Sequence, residues 1–299
     1  MNSKLKVWLQ AARLRTLPLS LSGIIVGNGL AFSNVNFSWM IFILSLLTTI
    51  SFQVLSNFAN DYGDGVKGTD NDSRIGPPRV LQQGLLTRKE LKQGIQVCVF
   101  ISLILAASLI FLAFGISNQL YSLIFIGLAL GAVIAAIKYT VGSNAYGYRA
   151  LGDLFVLTFF GGVSVLGSLF LQTKLFTVEQ ILPAISIGLL SVGVLNLNNM
   201  RDIKTDKESN KITMAVLLGA RYAKAYHLFL LLGAVLTAVL YVKTNLKPSY
   251  LFMIAVLPMM IHLRRVLGYD NPKEFDPELK RLALSTFLFS ILFSIGQNI

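Results

Sequence analysis

Long uncharged stretches are the main feature of this chain. Residues 16–60 and 93–137 contain no Asp, Glu, Lys or Arg, and each stretch has 45 residues. A helix crosses the hydrocarbon core of a bilayer with roughly 20 apolar residues, so each stretch is long enough for two spans. Polar patches at 33–36 and 115–119 mark the breaks. Further uncharged runs follow at 154–173, 180–200, 225–242, 248–263 and 282–299, so the pattern predicts nine transmembrane helices.

Composition supports this prediction and excludes a single soluble domain. Apolar and aromatic residues make up 54% of the 299 residues. Charged residues make up 13%, about half the share found in ordinary soluble domains. We therefore expect an all-α, polytopic membrane protein in which residues 1–299 form one domain.

The lysines and arginines predict the orientation. Alternating the nine spans across the membrane places 23 of the 26 cations on the side of the N-terminus, and only Lys174, Lys243 and Lys247 on the other. Cytoplasmic loops collect Lys and Arg, so we expect a cytoplasmic N-terminus in the inner membrane of a cell. The net charge of +12 does not indicate a nucleic-acid partner, because these cations lie between apolar spans and not on a soluble face. They suit anionic lipid head groups.

Several smaller features have a structural interpretation. The pairs Gly23/Gly27 and Gly127/Gly131 lie inside spans, where small residues let helices approach closely. We expect both pairs to pack against neighbouring helices.

Three side chains of potential reactivity are also expected to be structural. Cys98 lies alone in mid-span, which leaves it no disulfide partner within the chain. His227 and His262 lie in the inner and outer halves of late spans, without an acidic or cysteine partner at ligand spacing. We expect Cys98 to pack as a small apolar residue and neither histidine to bind a metal.

Two predicted inner helix ends carry the same acidic pattern, an Asn followed four residues later by an Asp. The second span ends with Asn57, Asp61 and Asp64, and the sixth ends with Asn198, Asp202 and Asp206. Residues three or four apart share one helix face, so each set is expected to point one way. Both sets fall on the cytoplasmic side, where the fold could bring them face to face across one cavity.

The chemistry of these residues favours a metal-bound phosphate. Facing carboxylates repel each other unless a cation lies between them. Oxygen ligands with no Cys or His nearby suit Mg²⁺, which takes one or two carboxylates together with phosphate oxygens. Cations flank both sets, namely Lys67, Arg74 and Arg79 after the first and Arg201, Lys204, Lys207 and Lys211 around the second. A polar phosphate site at the mouth of an apolar helical cavity suits a prenyl diphosphate.

Other interpretations remain open on the residues alone. The acids could simply solvate helix ends. An ion-coupled transporter would carry carboxylates within its spans, but the nearest case is Asp153, which lies beside Arg149 at an interface. An alcohol phosphotransferase would show an Asp-Gly-x-x-Ala-Arg run, which this sequence lacks.

At these positions the sequence resembles the UbiA superfamily of intramembrane aromatic prenyltransferases, and within it the branch that acts on 1,4-dihydroxy-2-naphthoate. The resemblance rests on residues 13–18, 57–70, 74–77, 138–142, 148–153, 198–206 and 211–213. One departure is Asp70, which follows Asp64 by six residues instead of four and leaves its metal role open.

The resemblance implies nine helices around a central cavity that is open laterally to lipid. It implies that Mg²⁺ is held by Asn57, Asn60, Asp61, Asp64, Asp202 and Asp206. It implies further that Lys67, Arg74, Arg79, Asn198 and Arg201 bind the diphosphate, that Tyr139 faces an allylic cation, and that Arg15 (or Arg13) and Arg149 bind the acceptor's carboxylate.

The implied reaction joins a polyprenyl diphosphate to an aromatic acid. The C–O bond of the diphosphate ionises, the naphthoate ring attacks the allylic cation, and carbon dioxide leaves to give demethylmenaquinone in its reduced, quinol form. Acceptors such as 4-hydroxybenzoate or homogentisate are the nearest alternatives.

Overall fold

The computed structural model describes residues 3–33, 36–71, 74–244 and 248–299. Within these ranges it has no strand, and helices of ten or more residues make up the fold. They are α1 Ser3–Ala12, α2 Leu17–Ala31, α3 Trp39–Lys67, α4 Arg88–Phe114, α5 Gln119–Lys138, α6 Gly152–Thr173, α7 Ile181–Glu208, α8 Met214–Lys243, α9 Met253–Gly268 and α10 Phe275–Gly296.

The helices make this a multi-pass membrane protein. In the described part of the chain seven of them, α3 to α8 and α10, are long and apolar enough to cross a membrane. Helices α2 and α9 lie where the first and eighth spans are predicted, but they have only 15 and 16 residues. The count of nine spans and the side of the N-terminus therefore stay predictions. Asn34, Val35 and Lys247, which belong to predicted external turns, lie outside the described residues.

The acidic motifs lie on continuous helix and not in loops. Helix α7 runs on to Glu208 and α8 begins at Met214, so the segment between the two helices is 209–213, and α8 is kinked at Gly219, whose backbone is non-helical (φ 73°, ψ 164°). The hydroxyl of Thr213 accepts a hydrogen bond from the amide of Val216 and caps α8. The first charged residue after an apolar run marks the predicted edge of the membrane. The helix itself continues for several residues beyond that point, as α7 does to Glu208.

Helix α7 lies at the centre of the helix assembly and α5 at its edge. Half of the apolar window of α7 is buried, compared with 11% of that of α5. Helix α7 packs against α6, α8 and α10, whereas α5 packs mainly against α3 and α4. The main hydrophobic core therefore lies between α7, α8, α9 and α10, with Leu190, Leu230 and Phe289 among its fully buried members.

The two glycine pairs behave differently. A Cβ at Gly23 would lie 2.7 Å from the carbonyl oxygen of Phe160, and one at Gly27 would lie 2.2 Å from that of Val165, so this pair packs α2 closely against α6. No described atom lies within 4 Å of a Cβ at Gly127 or Gly131. The expected packing at the second pair is wrong, because these faces of α5 are turned away from its neighbours.

His227 and His262 contact each other, although the sequence predicts that they lie in opposite halves of the membrane. Their Nε2 atoms lie 2.9 Å apart, and Nδ1 of His262 lies 2.7 Å from Oε2 of Glu278. The prediction that neither has an acidic partner is wrong, because Glu278 comes from α10 and no spacing within α8 or α9 indicates it. All three side chains are fully buried and join α8, α9 and α10.

Candidate functional site

A cavity of about 470 Å³ opens between α2, α3, α4, α5, α6, α7 and α10. Most of its wall is apolar. Its polar end is lined by Asn60, Asp64, Arg79, Asn198, Lys211 and Asp276. The predicted combination of a charged mouth and an apolar interior is therefore present.

The two acidic motifs meet at Lys211. Its Nζ atom lies 3.5 Å from Oδ2 of Asp64 on α3 and 3.8 Å from Oδ1 of Asp206 on α7. Burial would lower the pKa of Lys211, but Asp64 and Asp206 outweigh that effect and raise it, so the ammonium stays charged. Asp64 of the first set and Asp206 of the second thus share one cation, although neither Asp202 nor Asp206 itself lines the cavity.

Asp64 is also fixed by Tyr148. The phenol donates a hydrogen bond of 2.8 Å to Oδ1 of Asp64, and its oxygen lies 2.6 Å from Oγ1 of Thr69. Lys67 places its ammonium 3.8 Å from the centre of the Tyr148 ring. Tyr148 therefore orients one of the carboxylates that the cavity presents.

Asp202 is paired with its own neighbour in sequence. Nε of Arg201 donates to Oδ1 of Asp202 at 2.8 Å, and Nη2 donates to Oδ2 at 2.6 Å. Arg201 also donates to Asn198 and to Asp276, which comes from α10. Arg201 does not line the cavity, so the structure does not place it where a substrate-binding residue was predicted.

The residues of the first motif diverge. Asn60 and Asp64, one helical turn apart, line the main cavity, whereas Asp61 borders a second cavity of about 320 Å³ beside α1. Asn57 donates to the carbonyl of Ala12 at 2.8 Å and so ties α3 to the end of α1. The spacing of Asn57, Asp61 and Asp64 keeps them on one broad face of α3, but of the three only Asp64 lines the main cavity.

Arg13, Arg15 and Arg79 border both cavities. Nη2 of Arg13 and Nε of Arg79 are buried and donate no hydrogen bond to a described residue. Burial lowers the pKa of Arg13 to about 10 and also lowers the pKa of Arg79. Buried donors without partners are costly, so this basic group suits an anionic ligand. The backbone of Arg13 is left-handed, with φ 50° and ψ 54°, a conformation that is uncommon away from glycine and is found at functional sites.

Asp70 and Arg74 stabilise the α3–α4 loop. Asp70 forms an ion pair with Arg74, and its Oδ2 lies 3.9 Å from Nε of Arg79. Nε of Arg74 donates to the carbonyl of Pro77 at 3.2 Å. Neither Asp70 nor Arg74 lines the two cavities, so their contacts in the structure are with the loop itself.

Tyr139 begins an aromatic wall along the main cavity. Its ring meets that of Tyr146 edge-on at 5.3 Å, Tyr146 stacks on Phe155 at 3.9 Å, and Phe155 lies 6.3 Å from Phe159 in a nearly parallel orientation. All four rings line the cavity. Burial raises the pKa of Tyr139 to about 12, so its phenol stays neutral.

A close contact between Gly63 and Thr140 places Tyr139 beside the acidic end of the cavity. A Cβ at Gly63 would lie 2.3 Å from Oγ1 of Thr140, and this hydroxyl donates to the carbonyl of Ala59 at 3.0 Å. Only glycine at position 63 lets the end of α5 approach α3 this closely.

Helix α6 is wound unusually where it lines the cavity. Residues Leu157–Gly167 form a π-helix, which is rare and occurs often at functional sites. The residues of α6 that line the cavity form two rows, and within each row every fourth residue lines it. One row is Phe155, Phe159, Val163, Gly167 and Leu171, and the other is Val156, Phe160, Ser164 and Ser168. The wide winding keeps one face of α6 towards the cavity.

Two further predicted substrate residues lie away from the cavity. Lys67 is exposed on the ring of Tyr148, and Arg149 is exposed and donates to Oδ1 of Asn144 at 2.6 Å. Asp153, which the sequence places beside Arg149 at a membrane interface, accepts a hydrogen bond from Tyr226. The structure brings none of these side chains to the polar end of the main cavity.

Sequence reasoning did not assign the observed roles of two residues of the polar end and of a third, Tyr148, that contacts it. Lys211 was one of several flanking cations, Tyr148 lay in a family-like segment without a predicted role, and Asp276 was not singled out. The signals for Lys211 were its place among the cations that flank the second acidic set and its position in the family-like segment 211–213. Asp276 had no signal, because its place depends on the packing of α10 against α7.

The predicted magnesium ligands are oxygen donors but do not form a closed site. Within 3–33, 36–71, 74–244 and 248–299, no three Asp, Glu, His or Cys side chains are grouped to surround a metal ion. The carboxylates are instead paired with Lys211 and Arg201. Oδ1 of Asn60 and Oδ1 of Asp61 are buried without a hydrogen-bond partner among the described residues. These oxygens, with Asp64 and Asp206, fit a hard cation that arrives together with a phosphate ligand.

Comparison with known proteins places these features in a family. The model of the UbiA prenyltransferase family matches residues 20–291. The chain is 44% identical over 299 residues to 1,4-dihydroxy-2-naphthoate octaprenyltransferase of Haemophilus influenzae, with 99% of this chain and 96% of that protein covered. It is 39% identical over 297 residues to the enzyme of the same name from Escherichia coli, with 98% and 96% covered.

Solved structures share the fold. A UbiA homolog from Aeropyrum pernix K1 superposes with a TM-score of 0.69 at 16% identity, covering 96% of this chain and 98% of that one. A UbiA homolog from Archaeoglobus fulgidus bound to DMAPP and Mg²⁺ superposes with a TM-score of 0.66 at 15% identity, covering 96% and 99%.

Proposed function

The chain belongs to the UbiA prenyltransferase family, and from this premise we propose that it transfers a polyprenyl chain from polyprenyl diphosphate to 1,4-dihydroxy-2-naphthoate, with loss of carbon dioxide and diphosphate. The observation that carries the proposal is Lys211, which lines the polar end of the apolar cavity with Asp64 and joins Asp64 to Asp206. The relatives named for this reaction cover nearly the whole chain.

The diphosphate is proposed to bind at this polar end. Lys211 and Arg79 line it and supply positive charge for the leaving group. Asn60, Asp64 and Asp206, with Asp61 and Asp202 nearby on the same helices, would hold Mg²⁺. The ion, when bound, supplies further positive charge that stabilises the departing diphosphate. Mg²⁺ together with DMAPP in the Archaeoglobus homolog supports this assignment.

The prenyl chain is proposed to lie along the apolar part of the cavity. Breaking its C–O bond leaves an allylic cation beside Tyr139. The ring faces of Tyr139, Tyr146 and Phe155 stabilise a cation by their electron density. The same wall excludes water, which would otherwise capture the cation as an alcohol.

The acceptor is proposed to place its carboxylate against Arg13 and Arg15. These residues border both cavities, and Arg13 has a buried donor without a partner among the described residues. A ring held there would lie between the second cavity and the aromatic wall. The ring carbon forms the new C–C bond and the carboxyl group leaves as carbon dioxide. We propose the inner membrane of a bacterium as the location, with the N-terminus in the cytoplasm.

The test is an assay of the purified protein in lipid nanodiscs. Octaprenyl diphosphate and Mg²⁺ are supplied with 1,4-dihydroxy-2-naphthoate, 4-hydroxybenzoate or homogentisate, and products are identified by mass spectrometry. We expect a prenylated, decarboxylated product with the naphthoate. A product with 4-hydroxybenzoate alone would overturn the acceptor. Flux of substrate across vesicles without a new C–C bond would indicate a carrier and not an enzyme.

A further inference from the structure

The surroundings of Arg201 suit the orientation of a carboxylate better than the binding of a phosphate. Its guanidinium is 1% exposed and donates four hydrogen bonds to three side chains. Two go to Asp202, one goes to Asn198, and one of 2.6 Å goes to Asp276. A guanidinium has five N–H donors, so little capacity is left for a substrate.

The α3–α4 loop closes over the same group. A Cβ at Gly76 would lie 2.7 Å from Cζ of Arg201, so the loop backbone rests directly on the guanidinium. Arg201 is therefore confined by α7, by α10 and by this loop. The main cavity is lined by Asn198 and Asp276 on either side of it, and not by Arg201 itself.

Asp276 is itself held in place by its helix. Two residues later on α10, Glu278 is fully buried and accepts hydrogen bonds from Tyr269 and Arg281, and its other oxygen lies 2.7 Å from Nδ1 of His262. These contacts fix the first turn of α10. The side chain of Asp276 is 32% exposed, yet its position against Arg201 is set by a buried anchor.

We propose that Asp276 is a positioning residue: by pairing with Arg201 it holds the guanidinium flat against Asp202 and so orients the Asp202 carboxylate towards the magnesium diphosphate. Each Asp202 oxygen accepts one bond from Arg201. A carboxylate offers about four lone-pair sites, so each oxygen keeps one for a metal. The inference rests on the proposed function, and it gives Arg201 an orienting role in place of the substrate-binding role predicted from the sequence.

The direct test measures cation binding and not turnover. Mn²⁺ is titrated into purified protein with inorganic diphosphate, and free Mn²⁺ is followed by electron paramagnetic resonance. Loss of a residue that orients a metal ligand costs about 10- to 100-fold in metal affinity. We expect Asp276→Asn and Arg201→Lys each to weaken Mn²⁺ binding by about tenfold or more, and Asp276→Glu to restore part of it.

The variants also separate orientation from direct phosphate binding. In the background of Asp202→Asn, neither Asp276→Asn nor Arg201→Lys should weaken Mn²⁺ binding further, because residues that act through one partner are not additive. Asp270→Asn is the matched control, since Asp270 is a fully exposed acid of the preceding segment. Unchanged Mn²⁺ affinity in folded Asp276→Asn would overturn the inference, as would additive losses with Asp202→Asn.

The assay with prenyl diphosphate distinguishes this failure from failure of the proposed function. If wild-type protein forms the prenylated naphthoate while Asp276→Asn binds Mn²⁺ normally, only the positioning role is wrong. If wild-type protein forms no such product, the proposed function fails. A raised KM for prenyl diphosphate in Arg201→Lys with unchanged Mn²⁺ affinity would also overturn the inference, because it would show direct phosphate binding.

Discussion

The ammonium of Lys211 lies 3.5 Å from the carboxylate of Asp64, and this contact joins the segment after α7 to the end of α3. Asp206 approaches the same ammonium from α7. A lysine between two carboxylates stands in the position that a cation would share with them. When a magnesium diphosphate binds, we expect Lys211 to turn from the carboxylates to the phosphate.

Replacing Lys211 should therefore separate metal binding from catalysis. In Lys211→Met we expect Mn²⁺ to bind more tightly in the absence of diphosphate, because Asp64 and Asp206 lose their competing cation. We expect kcat/KM to fall by about 10²-fold, because the leaving group loses a buried positive charge. Calorimetric titration and steady-state kinetics measure the two effects. Lys207→Met is the control, since Lys207 is exposed on the last turns of α7. Weaker Mn²⁺ binding in Lys211→Met would contradict this account.

Asp61→Asn and Asp202→Asn test the metal roles predicted from sequence. Each removes a carboxylate charge without changing volume, so we expect folded protein with turnover reduced by about 10²-fold or more. Rates are measured at saturating Mg²⁺, and folding is checked by size-exclusion chromatography. Because Asp61 borders the second cavity, its loss should also raise KM for the aromatic acid, which Asp202→Asn should not do. Near-normal rates in both variants would argue against the metal roles.

The ring of Tyr139 should matter more than its hydroxyl. We expect Tyr139→Phe to keep turnover within a few-fold and Tyr139→Leu to lower it by about tenfold, the range of a desolvated cation–π contact. The leucine variant should also release more free polyprenol, because water reaches the cation more easily. Mass spectrometry gives the ratio of polyprenol to prenylated product. Equal ratios in the two variants would show that the aromatic face does not shield the cation.

Gly63 should be sensitive to a single added methyl group. A Cβ there would lie 2.3 Å from Thr140, so Gly63→Ala is expected to destabilise the protein by about 1–3 kcal/mol through overpacking. The melting temperature in detergent should fall, and turnover should fall with it as Tyr139 is displaced. Gly127→Ala is the control, because no described atom lies within 4 Å of its Cβ. A similar loss of stability in both variants would rule out overpacking against Thr140 as the cause.

The sequence predicted the acidic motifs well but not the direction of every side chain. Asp64 and Asp206 meet as the repeated Asn-x-x-x-Asp pattern indicates. Asn60 faces the main cavity and Asp61 does not, and spacing alone could not decide this. Helical periodicity groups residues on a face, but only the packing of neighbouring helices decides which face borders the cavity.

Contacts between helices that are distant in the sequence were the second feature that the sequence could not predict. Gly23 and Gly127 stand in the same small-residue pattern, yet only the first has a helix against it. The pairing of His262 with Glu278 and of Arg201 with Asp276 likewise depends on where α10 lies. The family resemblance supplied the site's chemistry, whereas these partners required coordinates.

The wide winding of α6 has a consequence for changes in chain length. From Phe155 to Leu171 the lining residues keep a step of four, whereas a regular α-helix would turn the last of them about 160° away from the first. The stretch Leu157–Gly167 corrects this phase. Exchanging one apolar side chain there leaves the others in register. Deleting a single residue would rotate everything beyond it, so that Gly167 and Leu171 would turn away from the cavity. The number of residues in this stretch therefore matters more to the cavity than the identity of most of them.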